Sequence, residues 1–306
     1  MQTPPPGIRV ADDVRRAIDA GAPVLALEST ILSHGLPSPR NLEVGLGSEE
    51  LVRSAGVVPA TIGVIDGVPT VGLSHAEVER LCTTEGVVKV SVRDLPIARA
   101  KGLDGGTTVA ATAWLAHRVG IRVMSTGGLG GVHRGASETF DESADLTTLA
   151  TTPITLVSAG VKSILDIGAT LERLETLNIP VVGYRTNRYP GFYVADSGFG
   201  LDYRIESPAD AASLARARDE LGLTAAVLVA NPIDEAKQLD PDFHDRVLTE
   251  ALAAASEAGI TGHDTTPFLL DHVQRATEGR SLEVNLEVYR GNVALGAEIA
   301  RAVAAR

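Results

Sequence analysis

The amino-acid sequence predicts a three-layer α/β/α fold with a mainly parallel central sheet. Short apolar runs rich in valine and isoleucine recur along the chain, and such runs are typical of strands covered on both faces. Longer stretches with helical character separate these runs, and this alternation favours parallel strands with helices on both sides. Because no repeat, low-complexity tract or clear linker is evident, we predict a single domain spanning residues 1–306.

The strands and helices can be assigned in order from the amino terminus. After a short proline-rich lead, residues 12–20 are predicted as a helix and residues 23–27 as a buried strand. The further short apolar runs predicted as strands are residues 60–65, 68–73, 87–92, 121–126, 154–158, 181–184 and 225–230. The stretches between and after them that are predicted as helices are residues 48–55, 74–81, 107–118, 161–177, 208–221, 242–258 and 282–305.

One segment lacks a regular pattern, and one rival architecture fits the strand count. Residues 187–206 are rich in glycine and tyrosine and show no periodicity, so we predict a surface loop or flap there. A (β/α)8 barrel is the main alternative to the open sheet, because eight strand-like runs can be counted and barrels often carry Schiff-base lysines.

The composition excludes several classes of protein. A net charge of −12 argues against nucleic acid as a partner, because a basic face is the usual footprint of such binding. The single cysteine, Cys82, excludes intrachain disulfides, as is usual in a reducing cytosol. No apolar run reaches the ~18 residues of a membrane helix. The first ten residues do not resemble a signal peptide. We therefore expect a cytoplasmic protein without a membrane partner.

Lys162 is the first candidate for a reactive group. The sequence has only four lysines against 23 arginines, and Lys162 follows an apolar run. A lysine can lose its proton and attack a carbonyl, whereas an arginine in practice cannot, so this position favours Schiff-base chemistry. The predicted helix at residues 161–177 would place Lys162 in its first turn, where the helix dipole favours a neutral amine. A structural ion pair with Asp166 is the alternative.

Glu28 is the second candidate, because it ends the first predicted strand. In open α/β sheets, ligands bind in the crevice outside the carboxyl ends of the strands. A carboxyl group at such a place can act as a general acid when burial raises its pKa. The alternative is a structural carboxylate that pairs with an arginine or caps Ser29 and Thr30.

A phosphate-binding site is predicted from two stretches of the sequence. Lys89 lies between valines inside a predicted strand, where its ammonium group needs an anionic partner. Gly105, Gly106, Thr108 and Val109 lie where a predicted helix begins, and free backbone amides at such a place favour phosphate binding. The glycine-rich stretches match neither the Walker A loop nor the dinucleotide fingerprint, so no nucleotide cofactor is expected.

Acidic residues after position 140 are candidates for binding a divalent metal ion. Asp141, Glu142 and Asp145 offer the oxygen ligands that hard cations prefer. Ser143 and Asp145 also form a pattern typical of a helix N-cap, so a solvated helix start is the structural alternative. His133, in the glycine-rich stretch 127–134, is either a packing histidine or a contact residue of the site.

Seven motifs, in the same order, resemble those of one enzyme family. They are ALESTILSHG at 26–35, PATIGV at 59–64, TGGLGGVHR at 126–134, SADL at 143–146, AGVKSILD at 159–166, TPFLL at 266–270 and NVALGA at 292–297. On these motifs the chain resembles the pseudouridine-5′-phosphate glycosidases, also called indigoidine synthase A-like proteins, over nearly its whole length.

The resemblance implies a homotrimeric α/β/α enzyme that requires a divalent ion, typically Mn²⁺. Such enzymes interconvert pseudouridine 5′-phosphate and water with uracil and ribose 5-phosphate. By motif position, Lys162 corresponds to the Schiff-base lysine, Glu28 to the proton donor and Asp141 to the metal ligand. The implied substrate-binding positions are Lys89, Val109, Ser143, Ala144 and Asp145, with His133 and Asn285 as further contacts.

The chain also departs from the family pattern, at Val92, Glu142, Asp234, Glu235, His263 and Gly291. None of these is the proposed Schiff-base lysine, proton donor or metal ligand. They leave open only the identity of the aromatic partner of ribose 5-phosphate. The main alternative to uracil is an aromatic polyketide, which would make the protein a C-glycosynthase. A Schiff-base aldolase and a non-catalytic sugar-phosphate sensor are the remaining hypotheses.

Overall fold

An eleven-stranded sheet forms the centre of the computed structural model, which describes residues 6–260 and 265–305. Residues 1–5 of the proline-rich lead and His263 lie outside the described residues. The strands are β1 (Arg9–Val10), β2 (Val24–Leu27), β3 (Val58–Ile65), β4 (Val68–Val71), β5 (Val88–Val90), β6 (Gly105–Thr107), β7 (Val123–Ser125), β8 (Thr155–Ser158), β9 (Val181–Tyr184), β10 (Arg204–Ile205) and β11 (Val227–Ala230).

The sheet is mainly parallel and open. Its hydrogen-bonded order is β1-β4-β3-β2-β7-β8-β11-β9-β10, and β6 joins it through β3 while β5 pairs with β6. All neighbours from β3 to β10 along this order are parallel, whereas β4 and β6 run antiparallel to β3. In the described part of the chain, β1 and β10 end the order and do not pair with each other. The predicted α/β/α fold is confirmed, and the barrel alternative is wrong.

Helices cover both faces of this sheet. They are α1 (Asp12–Asp19), α2 (Arg40–Ser54), α3 (His75–Thr83), α4 (Leu95–Lys101), α5 (Val109–Arg118), α6 (Ala136–Thr139), α7 (Ala144–Leu149), α8 (Ile167–Thr176), α9 (Pro208–Glu220), α10 (Pro241–Glu257), α11 (Thr265–Ala276) and α12 (Arg280–Ala304). A π-helical turn, Ile31–Gly35, and a 3₁₀ turn, Val92–Asp94, precede α2 and α4. None of the described helices has both the length and the hydrophobicity needed to cross a membrane.

Two apolar clusters lie on opposite faces of the sheet. Within β2, Val24 and Ala26 belong to one cluster, and Leu25 and Leu27 belong to the other, as expected for alternating side chains of a strand. Helices α1, α5, α7 and α10 contribute to the first cluster, and helices α2, α3 and α12 contribute to the second. Burial on both faces explains why the sequences of the strands are nearly continuous apolar runs.

Helix α2 begins at Arg40, eight residues before the predicted helix start. Its first half contains Gly45 and Gly47, which disfavour a helix on propensity alone. Close packing explains the glycine at position 45, because a Cβ atom there would lie only 3.1 Å from the Leu32 side chain. The side-chain amide of Asn41 also donates to the carbonyls of Leu32 and Cys82, each at 2.9 Å. Tertiary contacts therefore decide the start of this helix.

The prediction of a surface loop or flap at residues 187–206 is wrong for residues 189–194, whereas most of the remaining residues of the segment are exposed. Tyr189, Phe192, Tyr193 and Val194 are all buried, with at most 5% of each exposed. The segment is irregular apart from β10 and a single bridge between Arg188 and Gly200. Residues 189–194 are therefore a packed part of the core, and their buried side chains hold this irregular segment in place.

Candidate active site

Ten of the eleven predicted site residues line one cavity of about 400 Å³. They are Glu28, Lys89, Thr108, Val109, His133, Asp141, Ser143, Ala144, Asp145 and Lys162. The cavity lies beyond the carboxyl ends of β2, β6 and β8, which is where open α/β sheets bind ligands. Asn285 is the exception: it is half-buried on α12 beside Gly127 and does not belong to the described lining.

Glu28 is a buried carboxyl group at the end of β2. Only 8% of the residue is exposed, and the hydroxyl of Thr126 donates a hydrogen bond to its Oε1. Burial raises the pKa of Glu28 above its ordinary value, while the charges of Lys162 and Lys89 and the Thr126 hydroxyl act in the opposite direction. The net shift is upward, and a raised pKa makes Glu28 better suited to donate a proton than an ordinary glutamate.

Lys162 lies in the turn that joins β8 to α8, and it is half-buried in the cavity wall. Its backbone N–H donates to the carbonyl of Leu129 at 3.1 Å, so the turn is tied to the glycine-rich stretch after β7. The prediction that Lys162 lies in the first turn of a helix, where the dipole would act on its amine, is wrong. Helix α8 begins only at Ile167, with Asp166 as its N-cap. Asp166 Oδ1 accepts the N–H of Ala169, and no ion pair with Lys162 exists in the described structure.

Lys89 and the start of α5 form the cationic side of the cavity. Restricted hydration lowers the pKa of Lys89, and the charge of Lys162 acts in the same direction. Val109 is the first residue of α5, so its N–H has no intrahelical acceptor, and it finds no other partner among the described residues. Thr108 caps the helix by accepting the N–H of Ala111 at 3.4 Å. An ammonium group and a free amide therefore face the same space, as an anion requires.

Asp145 joins three segments around the cavity. Its Oδ1 accepts the N–H of Ala110 at 2.9 Å, and its Oδ2 accepts the N–H of Gly130 at 2.7 Å. Ser143 caps α7 by accepting the N–H of Asp145 at 3.1 Å, as the N-cap pattern predicts. Ala144 begins α7 and contributes to the cavity wall. Because both carboxylate oxygens already accept backbone N–H groups, Asp145 is less available as a metal ligand than Asp141.

Asp141 and His133 remain as donors for a divalent ion. The Asp141 side chain is 39% exposed, and its Oδ2 lies 3.8 Å from Nδ1 of His133. Glu142 pairs instead with Arg173 of α8 at 2.8 Å, which explains how a charged residue is accommodated at this departure from the family pattern. Among residues 6–260 and 265–305, no three His, Cys, Asp or Glu side chains converge. This donor set fits a hard ion held by one carboxylate and otherwise by water.

Several residues of the site region were not identified from the sequence, and three of them contact predicted site residues or line the cavity. Thr126 contacts Glu28, and its position at the end of a strand run could have indicated a role. Thr30 lines the cavity with a buried hydroxyl that has no hydrogen-bond partner in the described structure. Tyr189 contacts the turn that carries Lys162 through the N–H of Val161, and no local sequence signal indicates this contact.

Two solved structures are similar to this chain over nearly their whole length. One is the prealnumycin C-glycosynthase AlnA in complex with ribulose 5-phosphate, with a TM-score of 0.92, 36% identity, and coverage of 99% of this chain and 98% of that one. The other is an indigoidine synthase A-like protein from Thermotoga maritima, with a TM-score of 0.87, 37% identity and 98% coverage of both chains.

Sequence relatives give a consistent assignment. A pseudouridine-5′-phosphate glycosidase of Saccharopolyspora erythraea is 65% identical over 295 residues, which are 96% of this chain and 97% of that protein. A pseudouridine-5′-phosphate glycosidase of Frankia alni is 59% identical, over 98% of this chain and 83% of that protein. The family model for indigoidine synthase A like proteins matches residues 13–302. The chain therefore belongs to the indigoidine synthase A like family.

Proposed function

We propose that this protein is a pseudouridine-5′-phosphate glycosidase that acts through a Schiff base on Lys162. The reaction converts pseudouridine 5′-phosphate and water into uracil and ribose 5-phosphate, and it is reversible. The names of the relatives at 65% and 59% identity support the substrate. The observation that carries the mechanism is one cavity lined by the Lys162 amine, the buried carboxyl group of Glu28 and the Lys89 side chain beside a free amide.

The chemistry explains why an amine is needed. A C-glycosidic bond has no heteroatom leaving group, so protonation of a departing oxygen or nitrogen cannot break it. In the direction of synthesis, the Lys162 amine adds to the aldehyde of open-chain ribose 5-phosphate and water leaves, which gives an iminium carbon at C1′. C5 of uracil attacks C1′, and the electrons of the C=N bond return to nitrogen.

Ring closure completes the reaction. C5 of the base loses its proton, and the 4′-hydroxyl of the sugar displaces the lysine amine from C1′. The net change is one uracil and one ribose 5-phosphate to one pseudouridine 5′-phosphate and one water. In the cleavage direction the same steps run backwards, and neutral Glu28 donates its proton to the base or to the ring oxygen as the sugar opens.

The 5′-phosphate is assigned to Lys89 and the N–H of Val109. Both face the cavity, and the ammonium group supplies charge while the helix start supplies a directed donor. Holding the phosphate fixes the sugar chain, so that C1′ reaches Lys162 in a reactive geometry.

We further propose that Asp141 holds a divalent ion, most simply Mn²⁺, with water as its other ligands. The exposed Asp141 carboxylate beside His133 supports this assignment. When bound, such an ion supplies a local positive charge that polarises oxygen atoms of the substrate. The family resemblance also supports a homotrimer of single-domain chains in the cytoplasm, and light scattering after size-exclusion chromatography tests the oligomeric state.

A C-glycosynthase with a larger aromatic acceptor is the second candidate. The similarity to AlnA, with a TM-score of 0.92, favours it, because AlnA is a C-glycosynthase. The acceptor is the only difference between the two proposals, since both use ribose 5-phosphate and Lys162.

The test is incubation of the protein with uracil, ribose 5-phosphate and Mn²⁺. We expect pseudouridine 5′-phosphate, detected by chromatography and mass spectrometry, from the wild type and from Lys237→Ala, whose lysine only pairs with Glu287 on the surface. Lys162→Ala should give no product. Product from a polycyclic phenol but not from uracil would favour the C-glycosynthase, and turnover by Lys162→Ala would contradict both proposals.

A further inference from the structure

The buried part of the segment at residues 187–206 contacts the turn that carries Lys162. The hydroxyl of Tyr189 accepts a hydrogen bond from the backbone N–H of Val161, with 3.0 Å between nitrogen and oxygen. Only 1% of Tyr189 is exposed, and Val161 is fully buried. Burial raises the pKa of the phenol, so the hydroxyl stays protonated and uncharged. Val161 immediately precedes Lys162, so this contact acts on the backbone next to the reactive residue.

The same turn is held from its other side by the glycine-rich stretch. The N–H of Leu129 donates to the carbonyl of Gly160, and the N–H of Lys162 donates to the carbonyl of Leu129, each at 3.1 Å. Gly160 has a positive φ of 80°, and a Cβ atom there would lie 2.7 Å from the carbonyl oxygen of Pro190 and 2.9 Å from the Tyr189 ring. The backbone of the turn is therefore confined between the glycine-rich stretch and Tyr189.

We propose that Tyr189 is a positioning residue that fixes the backbone at Val161 and thereby aims the Lys162 amine at C1′. This inference rests on the proposed Schiff-base function. Tyr189 is itself well fixed, because its carbonyl accepts the N–H of Ser197 at 2.9 Å and the hydroxyl of Ser197 at 2.7 Å. Without the phenolic oxygen, the buried N–H of Val161 loses its hydrogen-bond partner, and the turn must shift or admit water.

The first test compares Tyr189→Phe with Tyr193→Phe. Tyr193 is a matched control because it lies in the same segment, is 3% exposed, and makes no recorded hydrogen bond through its hydroxyl in the described structure. We expect kcat for pseudouridine 5′-phosphate synthesis to fall about tenfold in Tyr189→Phe, because small misplacements of a reacting group are costly. The KM for ribose 5-phosphate should change less than about twofold, since Lys89 and Val109 are untouched. Tyr193→Phe should retain the wild-type kcat.

The second test measures deuterium uptake by the peptide that contains Val161. Tyr189→Phe should exchange the Val161 amide at least about tenfold faster, and Tyr193→Phe should match the wild type. Unchanged exchange and unchanged kcat in a folded Tyr189→Phe protein would overturn the proposal, and so would an equal loss in both variants. If Tyr189→Phe does not fold, Ser197→Ala provides a milder test, because it removes one hydrogen bond that fixes Tyr189. We then expect a smaller fall in kcat and a smaller increase in Val161 exchange. No change in either quantity would overturn the proposal.

Failure of the proposed function and failure of the Tyr189 proposal give different experimental results. A wild-type protein that forms no product and traps no ribose 5-phosphate contradicts the proposed function and, with it, the catalytic meaning of this contact. Deuterium uptake would still decide whether the Tyr189 hydroxyl holds the turn, because that measurement needs no substrate.

Discussion

At the residue scale, three ionisable side chains determine what the cavity can do. Burial favours the neutral form of Glu28, and the nearby charges of Lys162 and Lys89 partly oppose this effect. Restricted hydration and the charge of Lys162 favour loss of a proton from Lys89. A bound phosphate would compensate the cationic side, so we expect the substrate itself to complete the charge balance of the cavity.

The raised pKa of Glu28 predicts a specific dependence of stability on pH. Because the pKa of Glu28 is higher in the folded protein than its ordinary value of 4.5, the folded state binds this proton more tightly than the unfolded chain does. The resulting stability is fully present below pH 4.5 and is lost as the pH rises through the raised pKa. We expect the unfolding free energy of the wild type, relative to Glu28→Gln, to fall by about 1.4 kcal/mol per pH unit within that window.

Urea unfolding at a series of pH values measures this difference. Glu138→Gln is the control for replacing a glutamate by glutamine, because Glu138 is exposed on α6. A pH-independent difference between the wild type and Glu28→Gln would mean that folding does not raise the pKa of Glu28, and the role of proton donor would then lose its basis.

Lys89→Ala should weaken substrate binding more than it slows the chemical step. A charge-assisted contact with phosphate contributes about 1.5–3 kcal/mol, so KM for ribose 5-phosphate should rise about tenfold to a hundredfold. The kcat should fall less, because Lys162 and Glu28 remain in place. Steady-state kinetics with Lys101→Ala as the exposed-lysine control provides the measurement, and an unchanged KM would show that Lys89 does not bind the phosphate.

At the scale of secondary-structure elements, the site depends on joints between the ends of strands and helices. Asp145 connects α7 to the start of α5 and to the glycine-rich stretch through two hydrogen bonds. Sequence motifs identified Asp145 and Ser143, but only the structure shows that Asp145 holds elements together. The start of α8 was predicted too early for a related reason, because Asp166 caps a helix that a continuous apolar pattern cannot delimit.

Asp145→Asn should therefore destabilise the fold. An amide has one acceptor oxygen and would direct its NH₂ group at a backbone N–H, so one of the two donors loses its partner at a cost of about 1–3 kcal/mol. Urea unfolding measures this, with Asp242→Asn in the exposed first turn of α10 as a control expected to stay within about 0.5 kcal/mol of the wild type. Equal stability of the two variants would contradict the structural role of Asp145.

At the scale of the whole molecule, the apolar pattern predicted the layers of the fold, and the motifs predicted the site. Glu28 and Lys162 follow strands, so the rule that ligands bind at carboxyl ends already placed them near each other. The role of residues 187–206 was not predictable, because Tyr189 contacts Val161 across 28 positions of sequence and the segment has no periodicity. The position of Asn285, beside Gly127 and outside the described cavity lining, likewise depends on how α12 packs against the sheet.

The most direct test of the central claim is reductive trapping with ribose 5-phosphate and borohydride, followed by peptide mass spectrometry. The proposed mechanism predicts one reduced sugar-phosphate adduct on the peptide that carries Lys162, and no adduct in Lys162→Ala. The absence of an adduct from the folded, Mn²⁺-loaded wild type, or an adduct on Lys89 instead, would contradict the assignment of Lys162 as the Schiff-base residue.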